Sequence, residues 1–403
     1  SKIGVVEPSH HDRATAYIAV DRHRLDDPRP YVYRTHDGGK SWRLIVRGLA
    51  DRGGLHAVNV VREDPRTPGL LFAGTERGLF VSFDDGDNWQ PLQSGLPVTS
   101  VRDIEVHGDD LVIATHGRGF YILDDMAALR ELKTQPRPAT RLFAPAVAYR
   151  TRVSAFTGTP MPRDEPLAPN PPNGAYIDYA LAAAAQGPVE IVIRDASGQE
   201  VRRFSSRDPA TRPDLAKLEF APEWLAARRP LATTAGGHRL VWNFRYAAAR
   251  GMADEPQADG VWAPPGVYDV ELSVDGVVQH QKLELQPDPR VKAPAQAYAR
   301  EFDLARKVEA DRVRVKAALA AAQSMSEALA ARQKTADPAE KIRLAALAAR
   351  LQQVADLEGE KANPRNPYPK PPGSLTGLRF LQARLEALAE AVDGSDGGPS
   401  ADA

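Results

Sequence analysis

Apolar residues in the first 126 positions come in short runs that alternate with polar ones and stop at Gly, Asp or Pro, as in strands joined by tight turns. The runs recur. Leu71-Phe72-Ala73-Gly74-Thr75-Glu76-Arg77-Gly78-Leu79-Phe80-Val81 reads as two strands around a turn, and Leu111-Val112-Ile113-Ala114-Thr115-His116-Gly117-Arg118-Gly119-Phe120-Tyr121-Ile122 is a second copy. An eight-residue motif, (Ser/Thr)-x-Asp-x-Gly-x-x-Trp, appears as Thr35-His36-Asp37-Gly38-Gly39-Lys40-Ser41-Trp42 and Ser82-Phe83-Asp84-Asp85-Gly86-Asp87-Asn88-Trp89. The two lie about 47 residues apart, near the length of one four-stranded propeller blade. After the second copy of the strand pair only Leu123-Asp124-Asp125 follows, without a Trp, so the last box is degenerate.

The motif has a turn chemistry. The Asp37 or Asp84 carboxylate accepts backbone N–H groups, Gly39 or Gly86 takes positive φ, and Trp42 or Trp89 inserts between strands to fix the hairpin. These residues are expected to be structural. About three blades are present, and propellers close with four or more. The missing blades are therefore expected from an upstream N-terminal propeller segment of the same gene product, in the same chain or as a separate one, because open blades expose strand edges. Strand-like sequence directly after Ser1 predicts that a natural start has been removed.

Beyond residue 129 the texture changes. Residues 130–172 are rich in Pro and read as a linker. Between 173 and 290 short strands return at Ala175–Leu181, Val189–Arg194, Glu200–Phe204, His238–Tyr246 and Gly266–Val274, the last followed by the turn dipeptide Asp275-Gly276, which predicts an Ig-like β-sandwich. From Pro294 the apolar spacing becomes helical: Phe302, Ala305, Val308 and Ala310 open a helix running to about Gln333. A second helix starts at Pro338 with Ile342, Leu344, Leu347, Leu351, Val354 and Leu357 turned toward the first, and a third carries Leu378, Leu381, Leu385 and Leu388. The predicted fold is mainly β with an α-helical tail: a partial Asp-box β-propeller over 1–129, the sandwich, an antiparallel helical bundle over 291–392 and a disordered tail over 393–403.

Charge and composition narrow the function. In 403 residues, 52 Lys and Arg stand against 53 Asp and Glu, a net charge of -1, which disfavours nucleic acid and anionic membranes as partners. There is no cysteine, hence no disulfide, zinc–thiolate site or thiol nucleophile. No apolar run reaches the roughly 20 residues of a membrane-spanning helix. No cofactor motif is present, and the histidines lack a metal-binding spacing, so neither cofactor nor metal is expected.

Several stretches resemble bacterial sortilin-like, Asp-box (BNR) repeat proteins of the kind labelled glycosyl hydrolases: Ala16–Asp27, Val60–Pro65, Ala73–Glu76, Ala114–Phe120, Pro171–Ala175, His238–Tyr246, Pro265–Tyr268 and Asp288–Val291. The resemblance covers about 290 residues, and the helical tail matches in kind only. It implies a multi-bladed propeller, secreted or periplasmic, whose upstream half precedes this stretch. Its hydrolase label rests on the Asp-box, and a shared fold does not transfer an activity.

Candidate chemistry gathers in the blades. His10 and His11, beside Asp12, precede one strand, and Asp21 and His23 follow it, so the two groups are expected at opposite rims as binding residues. Glycoside hydrolysis needs two carboxylates about 5–10 Å apart. Asp12, Asp21, Asp26, Glu63 and Glu76 are the candidates, with Glu76 foremost as a catalytic residue because it sits in a turn after an apolar strand. The alternative for Glu76 is an ion pair with Arg77 or a neighbour. Glu76, Arg77, His116 and Arg118 occupy equivalent places in the repeated strand pairs and are expected to line one mouth of the channel. A sialidase would need an arginine cluster and a Tyr supported by a Glu, and no complete set is identifiable. Trp242 and Tyr246 read as packing residues, while Trp224 and Trp262 are the more exposed aromatics. Two functions stay open: a binding or assembly protein that captures a peptide or glycan at the channel, and a glycoside hydrolase whose carboxylate pair is completed by upstream blades.

Overall fold

A computed structural model describes residues 1–49, 57–93, 95–134, 139–152, 171–210, 229–252, 259–356, 377–394 and 396. The chain divides into two units, Ser1–Ala146 with Tyr176–Ala184 and Thr234–Leu240, and Val147–Ala175 with Ala185–Thr233 and Val241–Ala403.

The first unit begins with three antiparallel meanders. The first sheet holds β1 (Lys2–Pro8), β2 (Ala16–Asp21), β3 (Val32–Thr35) and β4 (Arg43–Leu44). The second holds β5 (Val58–Glu63), β6 (Leu71–Thr75), β7 (Gly78–Ser82) and β8 (Gln90–Pro91). The third holds β9 (Val101–His107), β10 (Asp110–Thr115) and β11 (Phe120–Leu123). The leading strands lie side by side, β5 touching both β1 and β9, as the innermost strands of successive propeller blades do.

Burial follows from that stacking. Every residue of β6 and β7 is buried, and both strands read as nearly continuous apolar runs because a neighbouring blade covers each face. Toward the first blade, Val58, Val61, Leu71, Ala73 and Phe80 pack on Tyr17, Ala19 and Val32. Toward the third, Val60, Phe72, Leu79 and Val81 pack on Val101, Ile104, Leu111 and Ile113. The flanking blades lack such cover on their far sides: Ile3, Val6, Phe120 and Ile122 are exposed, Phe120 at 78%.

The degenerate third box has a structural outcome. Asp125, at φ 56°, turns the chain, and its Oδ1 accepts the Ala127 N–H at 2.9 Å to open α1 (Ala127–Thr134) where a fourth strand would run. Arg130 of α1 then fastens on buried Asp64, donating to Oδ2 at 3.0 Å and Oδ1 at 2.9 Å.

The expected sandwich strands fall in both units. β12 (Arg141–Leu142), β14 (Ala175–Leu181) and β17 (Gly236–Trp242) make a three-stranded sheet, most of it in the first unit. The second unit holds a five-stranded sheet of β13 (Ala148–Arg150), β15 (Glu190–Arg194), β16 (Glu200–Ser205), β20 (Gly266–Val274) and β21 (Val277–Pro287), ordered β13-β21-β20-β15-β16. A ribbon of β18 (Arg245–Ala247) and β19 (Asp259–Trp262) accompanies it. On β20, Tyr268, Val270, Leu272 and Val274 are buried in alternation, as in a sheet with one covered face. Trp242 is buried, with the Phe244 and Tyr268 rings edge-on at 5.8 and 5.2 Å, and its Nε1 donates to the Arg245 carbonyl at 3.0 Å. Most of the proline-rich stretch, residues 153–170, and Trp224 lie outside the described residues, as does the tail apart from 393, 394 and 396.

The helical region comprises α2 (Ala295–Thr335), α3 (Pro338–Ala355) and α4 (Leu378–Asp393), with α3 and α4 both packed on α2. Asp337 caps α3 by accepting the Glu340 N–H, and Pro338 follows as first residue. Ile342, Leu347 and Val354 are exposed rather than turned toward α2; the inward stripe is Leu344, Ala348, Leu351 and Ala355, spaced three and four apart.

Candidate functional site

The two Asp boxes close through the same bonds. In the first, Asp37 Oδ1 accepts the Thr35 hydroxyl at 2.8 Å and the Ser41 N–H at 2.9 Å, while Thr35 Oγ1 accepts the Gly39 N–H at 3.0 Å. In the second, Asp84 Oδ1 accepts the Ser82 hydroxyl at 2.9 Å and the Asn88 N–H at 2.8 Å, while Ser82 Oγ accepts the Gly86 N–H at 2.8 Å. The Ser41 hydrogen bonds, with that from Thr35, lower the Asp37 carboxyl to about 2. Burial opposes ionisation of Asp84, but the Asn88 and Ser82 bonds prevail and lower it too. A carboxyl lowered on folding stabilises above its unfolded value and loses that contribution as pH falls through the folded one. Stability of the first unit is therefore expected to decline on acidification from about pH 4 toward pH 2, less steeply in Asp37→Asn, as read by thermal melts across that range. Asp84→Ala is expected to destabilise the unit by about 1–3 kcal/mol in urea titration.

The tryptophans part company. Trp89 is 4% exposed and its Nε1 donates to the Ile45 carbonyl of the preceding blade at 3.0 Å, while its own N–H donates to the Arg47 carbonyl. Trp42 is 41% exposed, so it does not insert between strands as the motif predicts. The reason is the origin of the slot, which the preceding blade supplies. The same blade crowds Gly86, where an added Cβ would lie 2.3 Å from Ile45 Cδ1, while Gly39 would meet nothing nearer than the Trp42 ring at 3.8 Å.

The turns after the second strands of the second and third blades are equivalent. The Glu76 N–H donates to the Ala57 carbonyl and the His116 N–H to that of Ser100, each acceptor just ahead of its blade's first strand. Thr75 and Thr115 both close their turns by donating a hydroxyl to a glycine carbonyl, Gly78 and Gly119. Asp21 and His23 begin the matching connection of the first blade. Strand direction thus puts Asp21, His23, Glu76, Arg77, His116 and Arg118 at one end of the blades, and His10 and His11 at the other. Arg77, His116, Arg118 and His23 are exposed.

Most of the proposed carboxylates are already engaged. Glu76 Oε1 accepts from Arg102 at 2.9 Å, an ion pair with the next blade. Asp21 Oδ2 lies 2.6 Å from His23 Nδ1; burial raises its carboxyl, but the His23 hydrogen bonds outweigh that and lower it. Asp12 accepts the Thr15 hydroxyl at 2.6 Å, which lowers it as well. Glu63 is buried and accepts the Gly69 N–H at 2.9 Å and the His10 N–H at 3.0 Å. His11 Nε2 sits 3.0 Å from the Asp64 carbonyl oxygen. Tyr17, whose hydroxyl donates to Asp85 Oδ1 at 2.5 Å with Glu63 Oε1 at 3.4 Å, is buried. Burial and the Asp85 contact raise its hydroxyl, which favours the neutral phenol.

No family model matches the chain, and no curated protein matches it. Solved structures with some likeness are YCF48 bound to D1 peptide (12% identity, 73% of this chain, 69% of that chain, TM-score 0.23) and the GH74 enzyme of Niastella koreensis (13%, 70%, 38%, 0.26). A third is the extracellular domain of BT4673 from B. thetaiotaomicron (11%, 72%, 31%, 0.23). The chain spans well under half the length of the last two. At these scores the likeness carries no weight, and the propeller character rests on strand order and blade packing.

One cluster escaped the sequence. Arg239 Nε and Nη2 donate to Asp178 Oδ1 and Oδ2 at 2.7 and 2.8 Å, Nη1 to the Asp124 carbonyl at 2.5 Å and Nη2 to the Asp125 carbonyl at 2.9 Å. Burial, then the nearby Asp110 charge, raises the Asp124 carboxyl, and burial raises that of Asp125. This pair lies at the blade end opposite the Glu76 turn, since Asp110 starts the strand that His116 follows. The degenerate box was the one visible signal; Arg239, more than 110 positions later, sits in a stretch whose alternation announced only a strand. Among the described residues no group of three or more metal-ligating side chains converges, and no helix is long and apolar enough to cross a membrane.

Proposed function

We propose that this is an exported propeller protein of the sortilin-like Asp-box kind, which captures a peptide or glycan on the end of the blades carrying Asp21, His23, Glu76, Arg77, His116 and Arg118. The observation that carries this reading is the equivalence of the Glu76 and His116 turns, which with the Asp21–His23 connection of the first blade gather polar side chains at one end of all three blades. Such repetition suits a broad recognition surface. Against the glycoside hydrolase reading, Glu76 is engaged by Arg102, and the raised carboxyl of Asp124 belongs to the other end. A secreted or periplasmic location goes with this proposal.

The propeller is completed by further blades, supplied by an upstream segment. Trp42 supports this, since its counterpart Trp89 is held by a preceding blade, and exposed Phe120 and Ile122 support a following one.

Arg77→Ala combined with Arg118→Ala in the assembled protein is expected to weaken capture about tenfold or more on a panel of xyloglucan oligosaccharides and a random peptide library, with nitrophenyl glycosides left uncleaved by both proteins. Unchanged capture would contradict the rim assignment. Turnover of a glycoside that Glu76→Gln abolishes would favour the hydrolase.

A further inference from the structure

The turns that join strands within a blade differ in charge between the two ends of the first unit. At the end that holds Glu76 they are residues 22–31, 76–77 and 116–119, with five arginines (Arg22, Arg24, Arg29, Arg77, Arg118) against three carboxylates (Asp26, Asp27, Glu76). At the opposite end they are residues 9–15, 36–42, 64–70, 83–89 and 108–109, with seven aspartates against Arg13, Lys40 and Arg66. The Asp boxes tilt that end toward negative charge, while most carboxylates of the Glu76 end are already met. Asp27 accepts from Arg29 at 2.8 and 3.0 Å and stands 3.4 Å from Arg22, and Glu76 is held by Arg102 of β9. Arg24, Arg77 and Arg118 are exposed, and their guanidiniums make no hydrogen bond or ion pair among the described residues. Each blade carries one of the three.

We propose that Arg24, Arg77 and Arg118 form an array across the three blades that reads carboxylates, and that the ligand captured at this end is an acidic peptide. The inference rests on the capture reading above and adds the chemistry of the ligand. A single exposed arginine gains little from one ion pair, but three on successive blades act on one chain at once, so each further contact becomes intramolecular. The difference in charge between the two ends orients an anionic chain as it approaches. Guanidinium groups also favour planar, two-pronged contact with carboxylates. A peptide suits the rest of this surface better than a glycan. The aromatic residue of these turns is Tyr31, whose ring has Arg22 at 5.2 Å and Arg29 at 5.7 Å, so it offers no bare face to a sugar ring. Exposed Phe120, just past the turns, lies on the face assigned above to a following blade. The open apolar group beside the array is aliphatic: Leu25, next to Arg24, is 56% exposed.

The full chain, tethered sparsely to a biosensor, is titrated with a peptide of Glu-Gly-Leu repeats and with the same peptide carrying Gln for Glu. The acidic peptide is expected to bind about tenfold more tightly or better. Arg24→Gln, Arg77→Gln and Arg118→Gln together should abolish that preference, and Arg24→Gln alone should lower the affinity about threefold. All three side chains are exposed, so thermal melts should not move. Arg13→Gln with Lys40→Gln, which removes two charges at the opposite end, should leave binding unchanged. Equal affinity for the two peptides, or equal losses from the substitutions at the two ends, overturns the proposal. So does polygalacturonate bound through the three arginines where the acidic peptide is not. If both peptides bind equally and both weaken when Arg77 and Arg118 are replaced, only the acidic chemistry fails. If the acidic peptide binds and no substitution at this end weakens it, the capture reading fails as well.

Discussion

Replacing Trp89 with alanine is expected to lower the unfolding free energy of the first unit by roughly 3–5 kcal/mol, whereas the same change at Trp42 costs less than about 1 kcal/mol. The two residues occupy one motif position, so motif membership alone would assign them equal effects. What separates them is the preceding blade. Trp89 fills a slot beside Ile45 and Leu49, both buried in the same apolar cluster, and leaves a large cavity when truncated. The Ile45 carbonyl loses a donor as well. Trp42 has no slot to vacate and is already in contact with water. Urea titration of both variants checks this, and equal losses would show that the box, not the seam between blades, holds the tryptophan.

Arg150→Ala is the second large effect, with an expected loss of roughly 3–5 kcal/mol in the second unit. The guanidinium is 1% exposed and 2.6 Å from a Glu301 side chain that is itself buried. Removing it leaves Arg152 as the remaining partner of a carboxyl that burial already pushes up, against the pull of Arg150 and Arg152. Arg203 and Glu200 make a pair at the same 2.6 Å, but both side chains are exposed, at 43% and 40%. Arg203→Ala should leave the transition nearly unmoved, because water replaces the lost partner. Differential calorimetry of the two variants separates burial from distance as the deciding quantity.

Much of the first unit was legible because its information is local. Box residues bond within a few positions of themselves, as Asp84 does to Ser82 and Asn88, and blade strands announce themselves by alternation. The starts of α2 and α3 followed from Pro294 and Pro338. What the sequence could not reveal depends on long-range neighbours. Nothing near Trp42 tells that its slot is lacking, and nothing near Glu76 names Arg102, which arrives from the next blade. The apolar face of α3 was misjudged for the same reason, as Ile342 and Leu344 are both plausible inward residues until the packing on α2 chooses one register. Arg239 and Asp178, 61 positions apart, likewise meet only through folding.

Sedimentation velocity of the isolated 403-residue chain over a hundredfold range of concentration tests most directly whether its blades are part of a larger propeller. Exposed blade faces at Trp42 and at Phe120 and Ile122 are expected to drive concentration-dependent association, which Phe120→Asp with Ile122→Asp reduces and an added upstream propeller segment replaces with a defined complex. A chain that stays monomeric at every concentration and unfolds in one cooperative transition would contradict the account.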